Sequence, residues 1–222
     1  MTSPPAPMRA ALLRHAPTEW NREGRIQGHR DSPLTSAGGA LAEAWGQRLA
    51  VLDFQRLAAS DLGRARATAA RIDPGGRLPR TTDPRLREQD WGAWTGLRLS
   101  DIRQRFPREL ARQEERGWDF RPPGGESRRE VADRGRAALL DMGARWPGQR
   151  VLVVTHEGLL KCLLYQLIHH QPVQGGAARV RPYHLHWLAV DGAALQLAEL
   201  NALNLVPAEP RRRDGASEGP AP

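Results

Sequence analysis

The sequence predicts an α/β fold, a three-layer α/β/α sandwich around a mostly parallel sheet with one antiparallel edge. Two short, unbroken apolar runs, at residues 9–13 and 151–154, each end abruptly in a polar pair, as strands buried on both faces do. Segments in which apolar residues recur at helical spacing lie between and after these runs. This alternation of strands and helices predicts a parallel sheet covered by helices.

The first half of the chain continues with a helix, a strand and a second helix. Apolar residues at helical spacing follow Thr35 and Ser36, either of which can act as the N-cap, and they predict a helix over 36–51. A third strand over 56–60 precedes a helix over 63–72. The order is that of a parallel sheet with crossover helices.

The second half adds two helices and a hairpin. A capping box that begins at Ser127 opens an apolar helical stripe over 131–146. Residues 159–168 are apolar nearly all round, as in a helix enclosed by its neighbours. Two alternating segments, 183–190 and 195–200, are joined by an Asp-Gly pair and predict an antiparallel hairpin.

We expect one domain over residues 1–206. Within it, segment 73–126 is rich in Pro, Gly and Arg and contains one helix candidate, 99–106, so it is predicted to leave the sheet and form a wall of the site. Residues 207–222 are dominated by Pro, Glu, Arg, Gly and Ser and predict a disordered tail.

Composition limits the functional classes. The chain has 222 residues and a single cysteine, Cys162, so it forms no intramolecular disulfide. No stretch approaches the ~20 apolar residues of a membrane span, and the start lacks the pattern of a secretory signal. We expect a cytoplasmic protein without a membrane partner.

The formal charge of +8 raises the hypothesis of nucleic-acid binding. Lys161 is the only lysine, the arginines are scattered, and no segment interleaves basic and aromatic residues to stack bases. We therefore expect no specific nucleic-acid partner. An excess of arginine equally suits a site for anionic substrates, because the guanidinium group matches phosphate geometry.

Polar residues follow the predicted parallel strands where those strands end. Arg14 and His15 directly follow the first strand, and His156 directly follows the last parallel one. Arg64 comes shortly after the third predicted strand. Because the carboxyl ends of parallel strands meet at one edge, we expect these side chains to converge there. A lone histidine is usually an ordinary residue, but two at equivalent strand ends favour a site.

These motifs and their order resemble a known family. Residues 14–21, Arg-His-Ala-Pro-Thr-Glu-Trp-Asn, resemble the family pattern Arg-His-Gly-x-Thr-x-x-Asn. Further similar blocks are Arg25-Ile26-Gln27-Gly28, Ser32-Pro33-Leu34-Thr35, Ser60-Asp61-Leu62-Gly63-Arg64, Leu86-Arg87-Glu88 with Gly92 and Gly96, Gly124-Gly125-Glu126-Ser127, and Val154-Thr155-His156-Glu157-Gly158. The family is the histidine phosphatases, which include the cofactor-dependent phosphoglycerate mutases. The matches run in order over about two-thirds of the chain.

The resemblance implies a phosphoglycerate mutase-like fold and a nucleophile, His15, that takes up the phosphoryl group as a phosphohistidine. It implies that Arg14, Arg64 and His156 surround the phosphoryl oxygens, where negative charge must be stabilised. The other phosphate-binding residues that it implies are Asn21, Gln27, Gly28 and, at the start of the following helix, Glu157. Neither a metal nor a cofactor is implied, because cationic side chains neutralise the phosphate.

The resemblance also makes Glu88 the general acid that protonates the leaving alcohol and then the base that activates water. On spacing alone, Glu88 is better explained as a surface carboxylate paired with Arg85 or Arg87. Glu157 is the competing acid, because another branch of the superfamily carries its acid directly after the second histidine.

Two residues depart from the family pattern. Ala16 stands where glycine is usual, and a positive φ there would strain the backbone. Glu157 stands where glycine is frequent and places a carboxylate at the pocket rim, where it is expected to disfavour highly charged substrates.

Other histidines and the tryptophans have alternative explanations. His184 and His186 alternate on a predicted strand, a spacing that can ligate zinc, but no third ligand is nearby and we expect polar residues of a strand surface. Some tryptophans flank the predicted site and either pack in a core or lid or stack on an apolar leaving group. They are Trp20, Trp91, Trp94 and Trp118.

The favoured function is hydrolysis of a small phosphorylated metabolite. The mutases that the chain resembles carry a longer, lysine-bearing segment after the acid, whereas residues 89–123 are compact, lack lysine and contain several aromatic residues. This favours a phosphatase with a partly apolar leaving group. The alternatives are a mutase and a catalytically weak relative that binds phosphorylated ligands or RNA. The oligomeric state, monomer or homodimer, is left open.

Overall fold

The structure is a computed structural model that describes residues 6–170, 180–192 and 194–206. A six-stranded sheet forms its centre. The strands are β1 (Met8–Arg14), β2 (Arg56–Ala59), β3 (Arg80–Thr82), β4 (Arg150–Thr155), β5 (His184–Asp191) and β6 (Ala194–Asn204). They lie in the order β3-β2-β4-β1-β5-β6, parallel from β3 to β1 and antiparallel at β5 and β6. The predicted mostly parallel sheet with one antiparallel edge is confirmed.

Helices cover both faces of this sheet. The helices of the described chain are α1 (Glu19–Arg22), α2 (Ser36–Leu49), α3 (Gly63–Ile72), α4 (Leu99–Arg105), α5 (Pro107–Glu115), α6 (Arg128–Arg145) and α7 (Glu157–Leu167). Apolar residues of α2 and α3 form one core cluster with the sheet, and those of α6 and α7 form another. The two clusters make the three-layer sandwich.

Strand β1 shows why the centre of the sheet requires an unbroken apolar run. Ala10 and Leu12 belong to the core on the α6 and α7 side, whereas Ala11 and Leu13 belong to the core on the α2 and α3 side. All four side chains are fully buried. Because successive side chains of a strand point to opposite faces, a strand buried on both faces has no polar position. Polar residues therefore begin where the strand ends.

The predicted helix starts are confirmed by their caps. Thr35 rather than Ser36 is the N-cap of α2, and its Oγ1 accepts a hydrogen bond of 2.8 Å from Gly38 N. The capping box of α6 is complete: Ser127 N donates to Glu130 Oε2 at 2.8 Å, and Glu130 N donates to Ser127 Oγ at 3.2 Å. These bonds satisfy amides that the first helical turn leaves without a partner.

Segment 73–126 contains more regular structure than predicted. α4 corresponds to the expected helix over 99–106, but the prediction of a single helix is wrong, because α5 follows it directly. α5 is mostly charged, and only Leu110 and Gln113 are buried among its described residues, so few apolar residues mark it in the sequence. The short edge strand β3 was also not predicted. The segment has a small hydrophobic core of its own, formed by Trp94, Ile102, Leu110 and Phe120.

The predicted hairpin forms, but β6 runs beyond residues 195–200, and its pairing with β5 contains register shifts. The expectation that His186 lies on a strand surface is wrong. Its side chain is fully buried at the inner side of β5, and its Nδ1 accepts a hydrogen bond of 3.0 Å from Asn201 N. The predicted tail, 207–222, lies outside the described residues. Of the helices in the described ranges, none has the combination of length and apolar character that crossing a membrane requires.

Candidate active site

The carboxyl ends of β1 and β4 meet at one edge of the sheet, because the two strands pair in parallel. His15 and His156 directly follow these strands, and the centroids of their rings lie 5.1 Å apart. A cleft of about 500 Å³ opens at this edge, and Arg14, His15, Arg64 and Glu88 are among its lining residues. The structure therefore brings together residues that are far apart in the sequence.

The proton of His15 is located by its hydrogen bond. His15 Nδ1 lies 2.8 Å from the carbonyl oxygen of Ala16, which can only accept, so Nδ1 carries the hydrogen and donates it. The lone pair of the neutral imidazole is then on Nε2. Burial, followed by the charges of Arg14 and Arg64, holds the pKa of His15 well below its usual value. His15 is therefore neutral at neutral and mildly acidic pH.

His156 is fully buried beside His15. Within the described ranges, neither of its ring nitrogens has a hydrogen-bond partner. Burial and then the charge of Arg64 hold the pKa of His156 well below its usual value. Since buried polar groups in proteins are normally hydrogen-bonded, a ring with two unpaired nitrogens is suited to contact an oxygen of a ligand.

Arg64 lies in the first turn of α3, and its guanidinium group donates hydrogen bonds to several oxygen atoms. Its Nη2 donates to Gly28 O at 2.7 Å, and its Nη1 donates to Arg30 O at 2.8 Å and Asp31 Oδ1 at 3.0 Å. Its buried Nε has no partner among the described residues. Gly28 has a φ of +50°, and a Cβ there would lie 2.9 Å from Thr95 Oγ1. Glycine is required at 28, and its carbonyl fixes the guanidinium.

Arg14 and Glu157 form an ion pair at the rim of the cleft, with 2.5 Å between Arg14 Nη1 and Glu157 Oε2. The other carboxylate oxygen of Glu157 pairs with Lys161, one turn further along α7. Burial opposes ionisation of Glu157, but the charges of Arg14 and Lys161 outweigh it and lower its pKa. The buried Nε of Arg14 has no partner in the described part of the chain.

Glu88 lines the cleft with its carboxylate against the start of α7. Gly158 N donates to its Oε2 at 3.1 Å, and Gln89 N donates to its Oε1 at 2.8 Å. A Cβ on Gly158 would lie 2.2 Å from Glu88 Oε1, so only glycine leaves room for the carboxylate. The first turn of α7 thus donates a backbone hydrogen bond to a carboxylate of the protein itself, that of Glu88.

The alternative explanation of Glu88 as a surface carboxylate paired with its neighbours does not describe the structure. Arg85 forms ion pairs with Asp83, at 2.8 Å, and with Asp141, at 2.6 Å. Arg87 pairs with Asp61 at 2.5 Å. Both flanking arginines are therefore engaged with other carboxylates.

Arg134 of α6 binds the backbone of residues 85–88, and the sequence did not indicate this role. Its Nη1 donates to Arg85 O and Arg87 O, both at 2.7 Å, and its Nη2 donates to Glu88 O at 2.8 Å. The same guanidinium makes two bonds of 2.9 Å to the carboxylate of Glu126. One side chain thus fixes three carbonyl oxygens of this loop.

Two more donors complete the support of the loop. Thr155, the last residue of β4, donates its hydroxyl to Leu86 O at 2.8 Å. His29 Nε2 lies 2.9 Å from the carbonyl oxygen of Glu88. Nothing in the local sequence connects such partners to the loop. The Glu157 and Lys161 pair, by contrast, has the helical i,i+4 spacing that a search for ion pairs would have found.

The remaining predicted phosphate-binding residues lie at the cleft. Asn21 lines it, and its Oδ1 accepts hydrogen bonds from Thr18 N and Oγ1, so its amide nitrogen is the atom with which it can donate to an anion. Gln27 is buried in the lining, and its Oε1 has no partner among the described residues. Ala16 is not among the described non-glycine residues with positive φ, so the expected strain there does not arise.

The tryptophans divide between the two predicted roles. Trp91 and Trp118 line the cleft. Trp94 is buried in the core of segment 73–126, and Trp20 lies against Gly96. Two tryptophans can therefore contact a bound molecule.

The arrangement has the parts that phosphoryl transfer requires. A neutral imidazole with its lone pair on Nε2 can attack phosphorus, and the donors on Arg14, Arg64 and His156 can stabilise the charged oxygens. A carboxylic acid at Glu88 can deliver a proton to a leaving oxygen. No two of these groups are close in sequence except Arg14 and His15.

Comparisons with known proteins agree with this geometry. The model of the histidine phosphatase superfamily (branch 1) matches residues 10–203. The probable phosphoglycerate mutase GpmB of Salmonella choleraesuis (strain SC-B67) is 37% identical over 166 residues, which are 71% of this chain and 73% of the relative.

Two solved structures are similar over most of their length. Bacillus stearothermophilus YhfR superposes with a TM-score of 0.79 at 30% identity, and the match covers 90% of this chain and 100% of the other. A mycobacterial glucosyl-3-phosphoglycerate phosphatase, solved with VO3, superposes with a TM-score of 0.72 at 29% identity, covering 88% and 99%.

Proposed function

The chain belongs to branch 1 of the histidine phosphatase superfamily, an enzyme superfamily of phosphatases and mutases, and from this premise we propose that it hydrolyses a small phosphomonoester through a phosphohistidine on His15. The observation that best supports this proposal is the state of His15. It is a buried neutral imidazole whose Nδ1 donates to Ala16 O, its ring centroid lies 5.1 Å from that of His156, and Arg14 and Arg64 line the same cleft.

In the first step, His15 Nε2 attacks phosphorus as the bond from phosphorus to the alcohol oxygen breaks. Glu88, protonated, gives its proton to that oxygen, and the alcohol leaves. Arg14 and Arg64 stabilise the negative charge of the phosphoryl oxygens as the transition state forms. His156 contacts one of these oxygens with a ring nitrogen.

In the second step, water replaces the alcohol. Glu88, now a carboxylate, takes a proton from the water, whose oxygen attacks phosphorus as the bond to His15 Nε2 breaks. Inorganic phosphate leaves, and both His15 and Glu88 return to their starting protonation states. Asn21 and Gln27 supply neutral hydrogen bonds to the phosphate, and the carbonyl of Gly28 orients Arg64. Neither step needs a metal or a cofactor.

We favour a phosphatase over a mutase because of the wall of the cleft. The aromatic side chains of Trp91, Trp118 and Tyr165 offer a surface for a partly apolar leaving group. The similar solved structures include a phosphatase. The mutase remains the second candidate, because the curated relative at 37% identity is a probable phosphoglycerate mutase. The single, buried Cys162 supports a cytoplasmic enzyme.

The test is a panel of phosphomonoesters assayed in metal-free buffer with a chelator. We expect the wild-type chain to release phosphate and His15→Ala to lose the activity, because no other group at the site replaces Nε2. His184→Ala, which removes a histidine outside the cleft, is the matched control and should retain activity. Rapid quenching of the wild type should yield a phosphate adduct on His15.

Three results would count against the proposal. Retention of most activity in His15→Ala would exclude the mechanism. Transfer of the phosphoryl group to a second hydroxyl of the substrate, faster than to water, would indicate the mutase. Absence of turnover across the panel, together with RNA binding that persists at physiological salt and is lost in Arg64→Ala, would indicate a binding protein instead.

A further inference from the structure

The rim of the cleft contains a carboxylate, that of Glu157, which forms ion pairs with two cations. Glu157 Oε2 lies 2.5 Å from Arg14 Nη1, and Glu157 Oε1 pairs with Lys161. All three residues line the cleft. The side chain of Glu157 is 36% exposed, so it faces the space that a ligand enters. Its position directly after His156 sets it next to the phosphoryl pocket.

The other cations at the mouth of the cleft are also engaged. Arg25 pairs with Glu23 at 2.6 Å and donates to Gly96 O at 3.0 Å. Arg128 donates to Gly117 O at 3.0 Å and lies over the ring of Phe120, 4.3 Å from its centroid. Arg64, whose buried Nε has no partner in the described chain, also lines the cleft.

We propose that Glu157 is a specificity-determining residue that selects phosphomonoesters whose leaving group carries no negative charge. The inference rests on the proposed function and deepens it. Lys161 is the cation at this point that a carboxylate or second phosphate of the substrate would use, and Glu157 is already paired with it and with Arg14. A substrate anion at this point must displace Glu157 or lie against it.

The energetic consequence follows from desolvation and repulsion. An anionic leaving group at the rim loses hydration, meets a Lys161 that is already paired with Glu157, and approaches the negative charge of Glu157. A hydroxyl group at the same point loses less hydration and can donate a hydrogen bond to the Glu157 carboxylate. One unit charge across such a cleft changes specificity by roughly tenfold.

A matched pair of probes isolates this charge. 3-Phosphoglycerate and glycerol 3-phosphate differ in having a carboxylate or a hydroxymethyl group at the end opposite the phosphate. We expect the wild type to have the higher kcat/KM for glycerol 3-phosphate. Glu157→Gln should reduce this preference roughly tenfold, and Lys161→Gln should increase it, because the carboxylate of Glu157 is then less neutralised.

The control for net charge is Glu43→Gln, which removes a carboxylate of an exposed ion pair with Arg71, outside the cleft. It should leave the preference unchanged. A preference that stays within about twofold in Glu157→Gln, or a wild type that prefers 3-phosphoglycerate, would overturn the inference.

The outcome is separable from that of the proposed function. A wild type that hydrolyses no phosphomonoester contradicts the phosphatase, whereas a phosphatase with an unchanged preference contradicts only the role of Glu157. If turnover is absent, titration calorimetry with the same two probes measures the ratio of their dissociation constants. That ratio should respond to Glu157→Gln and Lys161→Gln in the same directions, and a ratio that responds to neither excludes the inference.

Discussion

At the scale of single residues, the chemistry of this site depends on a histidine that stays neutral among cations. Burial and the charges of Arg14 and Arg64 disfavour the protonated ring of His15, and the hydrogen bond to Ala16 O fixes the remaining proton on Nδ1. Both effects keep the lone pair on Nε2. The same arginines that we propose to stabilise the phosphate therefore also favour the neutral form of His15, the proposed nucleophile.

The two carboxylates of the cleft should be distinguishable by their response to the leaving group. If Glu88 protonates the leaving oxygen, Glu88→Gln should lower kcat/KM roughly 10²- to 10⁴-fold for alkyl phosphates. Nitrophenyl phosphate should be much less affected in its first step, because nitrophenolate leaves without a proton. Steady-state and burst kinetics with both substrates measure the difference.

Glu157→Gln is the matched variant for this comparison, since it removes the other carboxylate of the cleft. We expect its effect on kcat/KM to be similar for alkyl and nitrophenyl phosphates, because Glu157 is held by Arg14 and Lys161 at the rim. If Glu157→Gln shows the selective loss with alkyl phosphates and Glu88→Gln does not, the acid assignment is wrong.

At the scale of elements, helix α6 contributes to the site through Arg134, a residue that is not part of the cleft lining. The guanidinium of Arg134 holds the carbonyl oxygens of Arg85, Arg87 and Glu88. Because the loop has no regular secondary structure at Glu88, the position of its carboxylate depends on these bonds and on the amide of Gly158. Arg134 is thus a positioning residue, which acts through Glu88.

Replacing Arg134 with lysine should keep the charge and lose the planar geometry. A single ammonium group cannot reach three carbonyl oxygens and both oxygens of Glu126 from one point. We expect kcat for alkyl phosphates to fall about 10- to 100-fold, since displacement of a catalytic group by ~1 Å has effects of this size. The fall should be smaller for nitrophenyl phosphate.

Arg129→Lys, in the same helix and at an exposed ion pair with Asp119, is the control and should have little effect. Thermal unfolding of both variants separates positioning from stability. An equal loss of kcat for alkyl and nitrophenyl phosphates in Arg134→Lys would show that the residue supports the fold rather than the acid.

The sequence predicted the elements that carry the nucleophile better than those that support the acid. β1 and β4 were recognisable because burial on both faces demands continuous apolar runs, and parallel pairing then requires His15 and His156 to meet. The role of Arg134 was not recognisable, because the loop atoms that it binds are 46 to 49 residues away and are backbone carbonyls, which leave no mark on residue type. α5 was missed because it is mostly charged and buries few side chains.

At the scale of the whole molecule, its basic character is distributed over many local pairs. Several arginines of α3, α6 and the loop at 83–87 form ion pairs with carboxylates nearby. Arg14 and Arg64, each of which has a buried Nε without a partner in the described chain, line the cleft. We therefore expect the formal charge of +8 to attract a small anion to this cleft and not to form a specific surface for polynucleotides.

The stability of the fold should depend on pH through its buried histidines. Burial lowers the pKa of His15 and His156, and it lowers the pKa of His186 to about 4. In the unfolded chain these groups titrate near the usual ~6.5, so below that pH the unfolded state binds more protons than the folded state. Their contribution to stability is therefore present above about pH 6.5 and is lost progressively as the pH falls.

Urea unfolding at pH 7.0 and pH 5.5 should show the loss, and His186 allows its origin to be tested. The pKa of His186 shifts from ~6.5 in the unfolded chain to about 4 in the folded one. This shift contributes about 1 kcal/mol to the decrease in the free energy of unfolding between pH 7.0 and pH 5.5. His186→Gln can keep the acceptor for Asn201 N but does not titrate, so its free energy of unfolding should change less between the two pH values, by about that amount. His184→Gln, on the same strand, is the control for removing a histidine. Equal pH dependence in His186→Gln and the wild type would mean that His186 does not contribute, whatever the cost of the substitution at either pH.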